Sequence, residues 1–155
     1  MLPSLISLDK VASFALTEPL NGSDASNLQT NAKKVEGGYI LNGIKRWIGN
    51  ATFADYIIVW AKFERKVQGF VVLKGSKGLR TEKMQGKLAA RAGQNAMIYL
   101  DDVFVPDNLR LAKGTNFETS ANALLRTSRL QVGFLAAGAM AGAYEAALQY
   151  TLNRK

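Results

Sequence analysis

Tyr39-Ile40-Leu41-Asn42-Gly43-Ile44-Lys45-Arg46-Trp47-Ile48-Gly49-Asn50 is the stretch on which the fold turns. Two short runs rich in β-branched and aromatic residues flank Asn42-Gly43. Asn-Gly is the strongest short hairpin signal, because both central residues of that turn need φ > 0. The spacing predicts strands over 39–41 and 44–48 with a hairpin between them. Working outward, similar runs lie at 11–16, 30–35, 56–62, 69–73, 97–100 and 103–105, and Gly37-Gly38 marks a further turn. Many short strands with frequent turns predict an antiparallel sandwich or barrel. Pro106-Asp107 closes that β region, which is expected to fill residues 1–110.

Beyond it the pattern changes. Thr115-Asn116-Phe117-Glu118 has capping-box spacing, and no proline follows. Residues 111–155 are therefore expected to form a linker and one long helix. Gly133, Ala136, Ala137, Gly138, Ala139, Ala141, Gly142 and Ala143 crowd part of it. Glycine costs a helix roughly 1 kcal/mol relative to alanine, so such a helix is poorly made for water and well made for close neighbours. The expected fold class is mainly β followed by a long α-helix.

Composition narrows the chemistry. The 155 residues contain no Cys and no His and carry a formal net charge of +8. That excludes zinc sites of the usual ligand types, Ser-His-Asp and Cys-His triads, disulfides and imidazole acid–base work. Catalysis would rest on carboxylates, Lys, Tyr, Ser/Thr, backbone dipoles or a cofactor. Residues 62–91 net +7 and residues 110–155 net +4, while 92–109 net −3. A solvated face accounts for such a basic stretch as well as a binding surface does. It lacks the interleaved aromatics of a nucleic-acid binder. No secretory signal is evident, and the apolar stretch 130–144 is shorter than the ~20 residues of a membrane span.

Two clusters carry possible chemistry. In the first, Phe14-Ala15-Leu16-Thr17-Glu18-Pro19 runs into Leu20-Asn21-Gly22-Ser23-Asp24. Gly22 permits close backbone approach, and Thr17 and Ser23 offer hydroxyls to a polar or anionic ligand. An ordinary capped turn explains the same residues. In the second, Trp47 stands beside Ile48-Gly49-Asn50, where an indole can stack on a flat ring or fill a core.

Together the clusters resemble the acyl-CoA dehydrogenase and acyl-CoA oxidase superfamily, with the glutaryl-CoA dehydrogenase branch and the short-chain oxidases the nearest likeness. The matching text is Ala15-Leu16-Thr17-Glu18-Pro19 with Gly22-Ser23-Asp24, then Asn42-Gly43, Lys45 and Trp47-Ile48, then Gly78-Leu79, Val103-Phe104-Val105-Pro106 and Asn153-Arg154-Lys155. The resemblance covers nearly the whole chain. It implies the flavin-contacting middle domain and the first helix of a C-terminal bundle, a fragment of that α+β fold.

By that resemblance Phe14, Ala15, Leu16 and Thr17 would line the flavin of FAD. Gly22 and Ser23 would approach the pyrophosphate, and Ser23 also the acyl-CoA. Trp47, with Ile48 and Gly49, would cover a flavin face. Arg129 and its neighbour Arg126 would meet CoA, and Arg154 the FAD of a neighbouring subunit. No catalytic residue and no metal is implied among these positions. The implied partners are acyl-CoA, the remaining helical domains or other subunits, and an electron-transfer flavoprotein or dioxygen as acceptor, in mitochondrial matrix or peroxisome.

Three departures from the pattern matter. Gly49 stands where dehydrogenases usually place Thr or Ser, which leans toward the oxidase side. Arg126 stands where many members carry Asp or Asn. Ser128 stands where a few carry the catalytic Glu. In most members that Glu lies later in the bundle. Glu18 belongs to a turn, and Glu145 lies more than four helical turns beyond Arg129. The expectation is a flavin- and acyl-CoA-binding part of an FAD-dependent oxidoreductase, inactive alone. The alternative is a non-catalytic structural subunit of a larger assembly.

Overall fold

The computed structural model describes residues 1–114 and 116–154. They form two compact units, Met1–Ala121 and a unit that begins at Asn122. The Thr115 end of the expected capping box, and Lys155, lie outside the described residues.

The first unit opens with a five-residue helix α1 (Leu2–Ile6), which carries Pro3 in its first turn. Seven strands follow: β1 (Ala12–Ala15), β2 (Asn31–Val35), β3 (Gly38–Gly49), β4 (Tyr56–Phe63), β5 (Lys66–Leu73), β6 (Leu79–Lys83) and β7 (Asn95–Pro106). The sheet runs β1-β4-β2-β3-β7-β6, with β5 on the other edge of β4. Two features curl it. Strand β1 is parallel to β4, and Asn31 of β2 sits on the same edge of β4, opposite Lys62. The C-terminal half of β3 then returns past β1: the Arg46 N–H donates to Thr17 O at 2.8 Å, and Ser13 Oγ donates to Gly49 O at 2.8 Å. A strand fourth in the order thus touches the first, as a barrel requires.

The hairpin expected at Asn42-Gly43 is not there. Strand β3 runs through both residues, and its register against β7 slips between Leu41 and Gly43. This is a β-bulge. Gly43 takes φ +152°, and a Cβ there would lie 2.4 Å from Thr30 Oγ1 and 2.8 Å from Thr30 Cα. The Asn42 side chain reaches across to β7 instead, accepting from Asp102 N and donating to Asp102 Oδ1, each at 2.9 Å. The reversal lies one turn earlier, at Gly37, where φ is +71° and β2 pairs antiparallel with β3. Runs 97–100 and 103–105 likewise belong to one strand, β7, kinked at Asp102 with φ 49°. Strand β6 is hidden by its polar sequence, Leu79-Arg80-Thr81-Glu82-Lys83, which lies on an edge with three of its five residues exposed.

The core follows strand alternation. Leu41, Ile57, Val59, Phe70, Val72, Ile98, Leu100, Val103 and Val105 are buried and packed together. Tyr39 meets Phe63 edge-on at 5.2 Å and Phe70 at 5.1 Å.

Helix α2 (Ala121–Asn153), of 33 residues, makes up the second unit from Asn122 onward. Upstream, Asn116 Oδ1 accepts from Thr119 N at 2.9 Å and from Thr119 Oγ1 at 3.0 Å. Leu130, Phe134, Leu135, Met140 and Tyr144 are all exposed on it. A helix apolar on every side is of the kind that bundles bury. No helix among the described residues is long and apolar enough to cross a membrane.

Candidate functional site

The site is built where β1 ends against the second half of β3. Strand alternation buries Ser13, Ala15 and Leu16 and leaves Phe14 and Thr17 half-buried. The hydrogen bonds from Arg46 N to Thr17 O and from Ser13 Oγ to Gly49 O set segments 13–17 and 46–49 side by side. Phe14, Ala15, Leu16, Thr17, Trp47, Ile48 and Gly49 are therefore brought together, although about thirty positions separate the two groups in the chain.

Trp47 is the conspicuous member. Its φ is +63° and its exposure 48%. A bulky aromatic residue avoids that backbone region, so the surrounding structure must impose it, at a cost of order 1–3 kcal/mol. The cause is a second register slip of β3 against β7, between Lys45 and Ile48. The slip turns the indole outward while Ile48 goes into the core. Arg46 stacks on the indole at 5.3 Å, and Asn95 Nδ2 donates to Trp47 O at 3.2 Å. Asn95 in turn accepts from Lys87 Nζ at 2.7 Å, and that ammonium also donates to Ala90 O and Gly93 O. One lysine thus organises the basic loop beside Trp47. Gly49 is exposed, with ordinary φ and nothing within 4 Å of a Cβ built on it.

Glu18 and Lys45 lie beneath this surface. Their side chains are 4% and 0% exposed and pair at 2.9 Å. Glu18 Oε1 accepts from Thr30 N at 2.8 Å and from Thr30 Oγ1 at 2.5 Å, and Oε2 accepts from Gln29 N at 2.5 Å. Lys45 Nζ donates also to Leu16 O at 3.0 Å. Burial pushes the Glu18 carboxyl up, but the Thr30 and Gln29 hydrogen bonds and the Lys45 charge outweigh it and hold the carboxyl below its ordinary value. Burial pulls the Lys45 ammonium down to about 8 against the opposing pull of Glu18. The sequence carried a signal for this pair that spacing alone did not interpret. Lys45 occupies an inward position of an alternating strand, which calls for a buried partner.

Gly22 and Ser23 are exposed on the loop that Glu18 anchors. A groove of about 380 Å³ opens beside that anchor, between the Pro19-Leu20-Asn21 turn and Asn42-Gly43-Ile44 of β3. Arg126 and Arg129 lie exposed on α2, three residues apart, and Arg154 follows its end with the guanidinium 5.9 Å from the Tyr150 ring. These three arginines belong to the second unit. Ser128 Oγ donates to Leu125 O at 3.0 Å, within its own helix. No group of His, Cys, Asp and Glu capable of holding a metal occurs among the described residues.

The first unit is a curled β domain with an outward tryptophan, a glycine-bearing loop and a buried ion pair. Residues 13–103 match the model of the acyl-CoA dehydrogenase middle domain, and the chain belongs to that family. Benzylmalonyl-CoA dehydrogenase of Aromatoleum aromaticum is 34% identical over 150 residues, which is 95% of this chain and 40% of that protein. The human mitochondrial very long-chain specific acyl-CoA dehydrogenase is 34% identical over 166 residues, 99% of this chain and 25% of that protein. A solved glutaryl-CoA dehydrogenase of Mycobacterium smegmatis, in complex with FADH2, superimposes with a TM-score of 0.74 at 33% identity. It covers 76% of this chain and 31% of that one. The chain thus spans between a quarter and two fifths of the length of the relatives it matches.

Proposed function

We propose that this chain is the flavin- and acyl-CoA-binding part of an FAD-dependent acyl-CoA oxidoreductase. The observation that carries the reading is the lateral pairing of segments 13–17 and 46–49, which sets an exposed indole and an open glycine beside a strand end. That arrangement suits a flat ring system: Trp47 stacks on one face, and Phe14, Ala15, Leu16 and Thr17 offer backbone and hydroxyl groups along its edge. Nothing lies within 4 Å of a Cβ built on Gly49, which leaves that side of the strand end open. Gly22 and Ser23 receive the pyrophosphate, and Ser23 also the thioester ligand. Arg126 and Arg129 supply charge for CoA phosphates, and Arg154 reaches an FAD held by a neighbouring subunit. The middle domain is assigned to residues 1–110, and residues 111–155 to a linker and the first helix of a bundle.

Bound FAD supplies the acceptor for the hydride that leaves the β-carbon of the acyl thioester. The α-proton needs a base, and Glu18 is not it, because its carboxylate is buried and already accepts from Thr30, Gln29 and Lys45. We therefore expect the 155-residue chain to bind the cofactor and not to turn over an acyl-CoA by itself. The apolar surface of α2 supports packing against further helices, from the same protein or another subunit. The acceptor is an electron-transfer flavoprotein or dioxygen, and Gly49 favours dioxygen by leaving space beside the ring. A mitochondrial relative supports the mitochondrial matrix as the compartment, with the peroxisome the other candidate.

The test is flavin uptake. FAD titrated into the purified chain should lose fluorescence and quench the tryptophan emission to which Trp47 contributes. A chain that takes up no FAD refutes this reading and favours a non-catalytic structural subunit. Acyl-CoA-dependent bleaching of the flavin in the pure chain would refute the inactivity of the isolated part.

A further inference from the structure

We propose that Glu18 and Lys45 are a positioning pair, locking the 18–30 loop and the β1 end to the Trp47 segment so that cofactor affinity depends on the intact pair. The inference rests on the FAD reading above. Both side chains are buried and committed to each other and to the protein backbone, although Glu18 lies at the wall of the groove beside the Pro19-Leu20-Asn21 turn. Their hydrogen bonds join four backbone segments. Lys45, on the strand that carries Trp47, holds Leu16 O at the end of β1. Glu18 holds Gln29 N and Thr30 N, at the far end of the loop. Glu18 and Asn21 exchange backbone hydrogen bonds, N to O at 3.1 and 3.3 Å, and close the turn that leads directly to Gly22 and Ser23. Both ends of the loop and both flanks of the ring slot thus meet at one ion pair.

Stability alone does not call for such a pair. Buried ion pairs replaced by apolar residues of similar volume often leave a fold as stable or more stable. What apolar residues lack is the set of directed bonds to Leu16, Gln29 and Thr30. Glu18 is the charged group that faces Lys45 in the core, while the neighbouring Arg46 turns outward onto Trp47. Burial weakens the Lys45 ammonium, so the lock releases as that proton leaves.

The experiment measures FAD affinity by fluorescence titration on the full chain, with unfolding followed in parallel. Lys45→Met should bind FAD about tenfold more weakly or worse at pH 7, the equivalent of losing one to two directed hydrogen bonds. Val105→Ala, a buried position opposite Tyr39 at the other end of β3, should destabilise the fold and leave FAD affinity within about twofold, measured where both variants are folded. If Lys45→Met fails to fold, Thr30→Val removes one bond to Glu18 at nearly constant volume and should weaken FAD severalfold. Raising the pH from about 7 to 9 should loosen FAD from the unsubstituted chain while its resistance to unfolding rises, because burial has lowered the Lys45 pKa. Equal affinities for Lys45→Met and Val105→Ala, or affinity and stability rising together with pH, overturn the proposal while leaving the FAD reading intact. Failure of the unsubstituted chain to take up FAD overturns that reading itself, and leaves the pair a structural device only.

Discussion

Replacing Gly43 by alanine should cost far more than the same change at Gly37 or Gly49. The three glycines differ in what surrounds them. At Gly43 an added methyl lies 2.4 Å from Thr30 Oγ1 and 2.8 Å from Thr30 Cα, and φ is +152°. Thr30 cannot retreat easily, because its N–H and its hydroxyl are both committed to Glu18. Overpacking of a filled interior costs about 1–3 kcal/mol, and a side chain in the positive-φ region about 1–3 kcal/mol more. The expected loss is therefore roughly 3–5 kcal/mol, a large fraction of the ~5–15 kcal/mol that holds a domain together. Gly37 has φ +71° but open space, so Gly37→Ala should lose only the conformational part, about 1 kcal/mol. Gly49 has neither constraint, and Gly49→Ala should fall within about 0.5 kcal/mol of the parent or slightly above it. Urea unfolding followed by circular dichroism would read the three differences. A Gly43→Ala protein no less stable than Gly37→Ala would refute the close approach of Thr30. It would return Asn42-Gly43 to the role of a hairpin turn.

Three further outcomes follow from the same geometry. Lys45 has its folded pKa lowered to about 8 from 10.5, so its contribution to stability is full above the unfolded value and is lost as pH falls through about 8. The parent minus Lys45→Met difference in unfolding free energy should therefore rise by a few kcal/mol between about pH 8 and 10.5; a flat difference would contradict the burial of a charged Lys45. Glu18→Gln keeps one acceptor oxygen but sets an NH2 group against a backbone donor, Gln29 N or Thr30 N, so unfolding should shift downward by about 2–4 kcal/mol; a neutral result would show that the carboxylate is not needed there. A Cβ at Gly49 meets no neighbour, so Gly49→Thr should leave stability nearly unchanged, yet slow the reoxidation by air of chemically reduced FAD on the chain severalfold; an unchanged rate would remove the case for dioxygen as acceptor.

Much of this protein was legible in one dimension. Runs of β-branched and aromatic residues bounded by turn residues gave most of the strands, since strand propensity is local and needs no partner to be read. The capping-box spacing at 115–118 and the absence of proline after Pro106 gave the change from sheet to helix. The two polar clusters, at 14–24 and 45–50, could be named as a joint site only because their order and spacing matched a family pattern. Nothing local brings them together.

Tertiary structure decided the rest. Asn42-Gly43 has the chemistry of a turn, but Thr30 packs on Gly43 and Asp102 takes up Asn42, so the chain continues as one strand. Strand β6 has no apolar face to betray it, and exists because β7 offers it a ladder. Lys45 stands in the sequence beside Trp47 with nothing local to name its partner, and it is buried because the curled sheet closes over it and Glu18 pairs with it inside. The sequence by itself determined which segments extend and which coil, because those preferences reside in each residue's own backbone and side chain. Only the folded chain decided what each charge and glycine is for, because burial and pairing depend on residues far away along the chain.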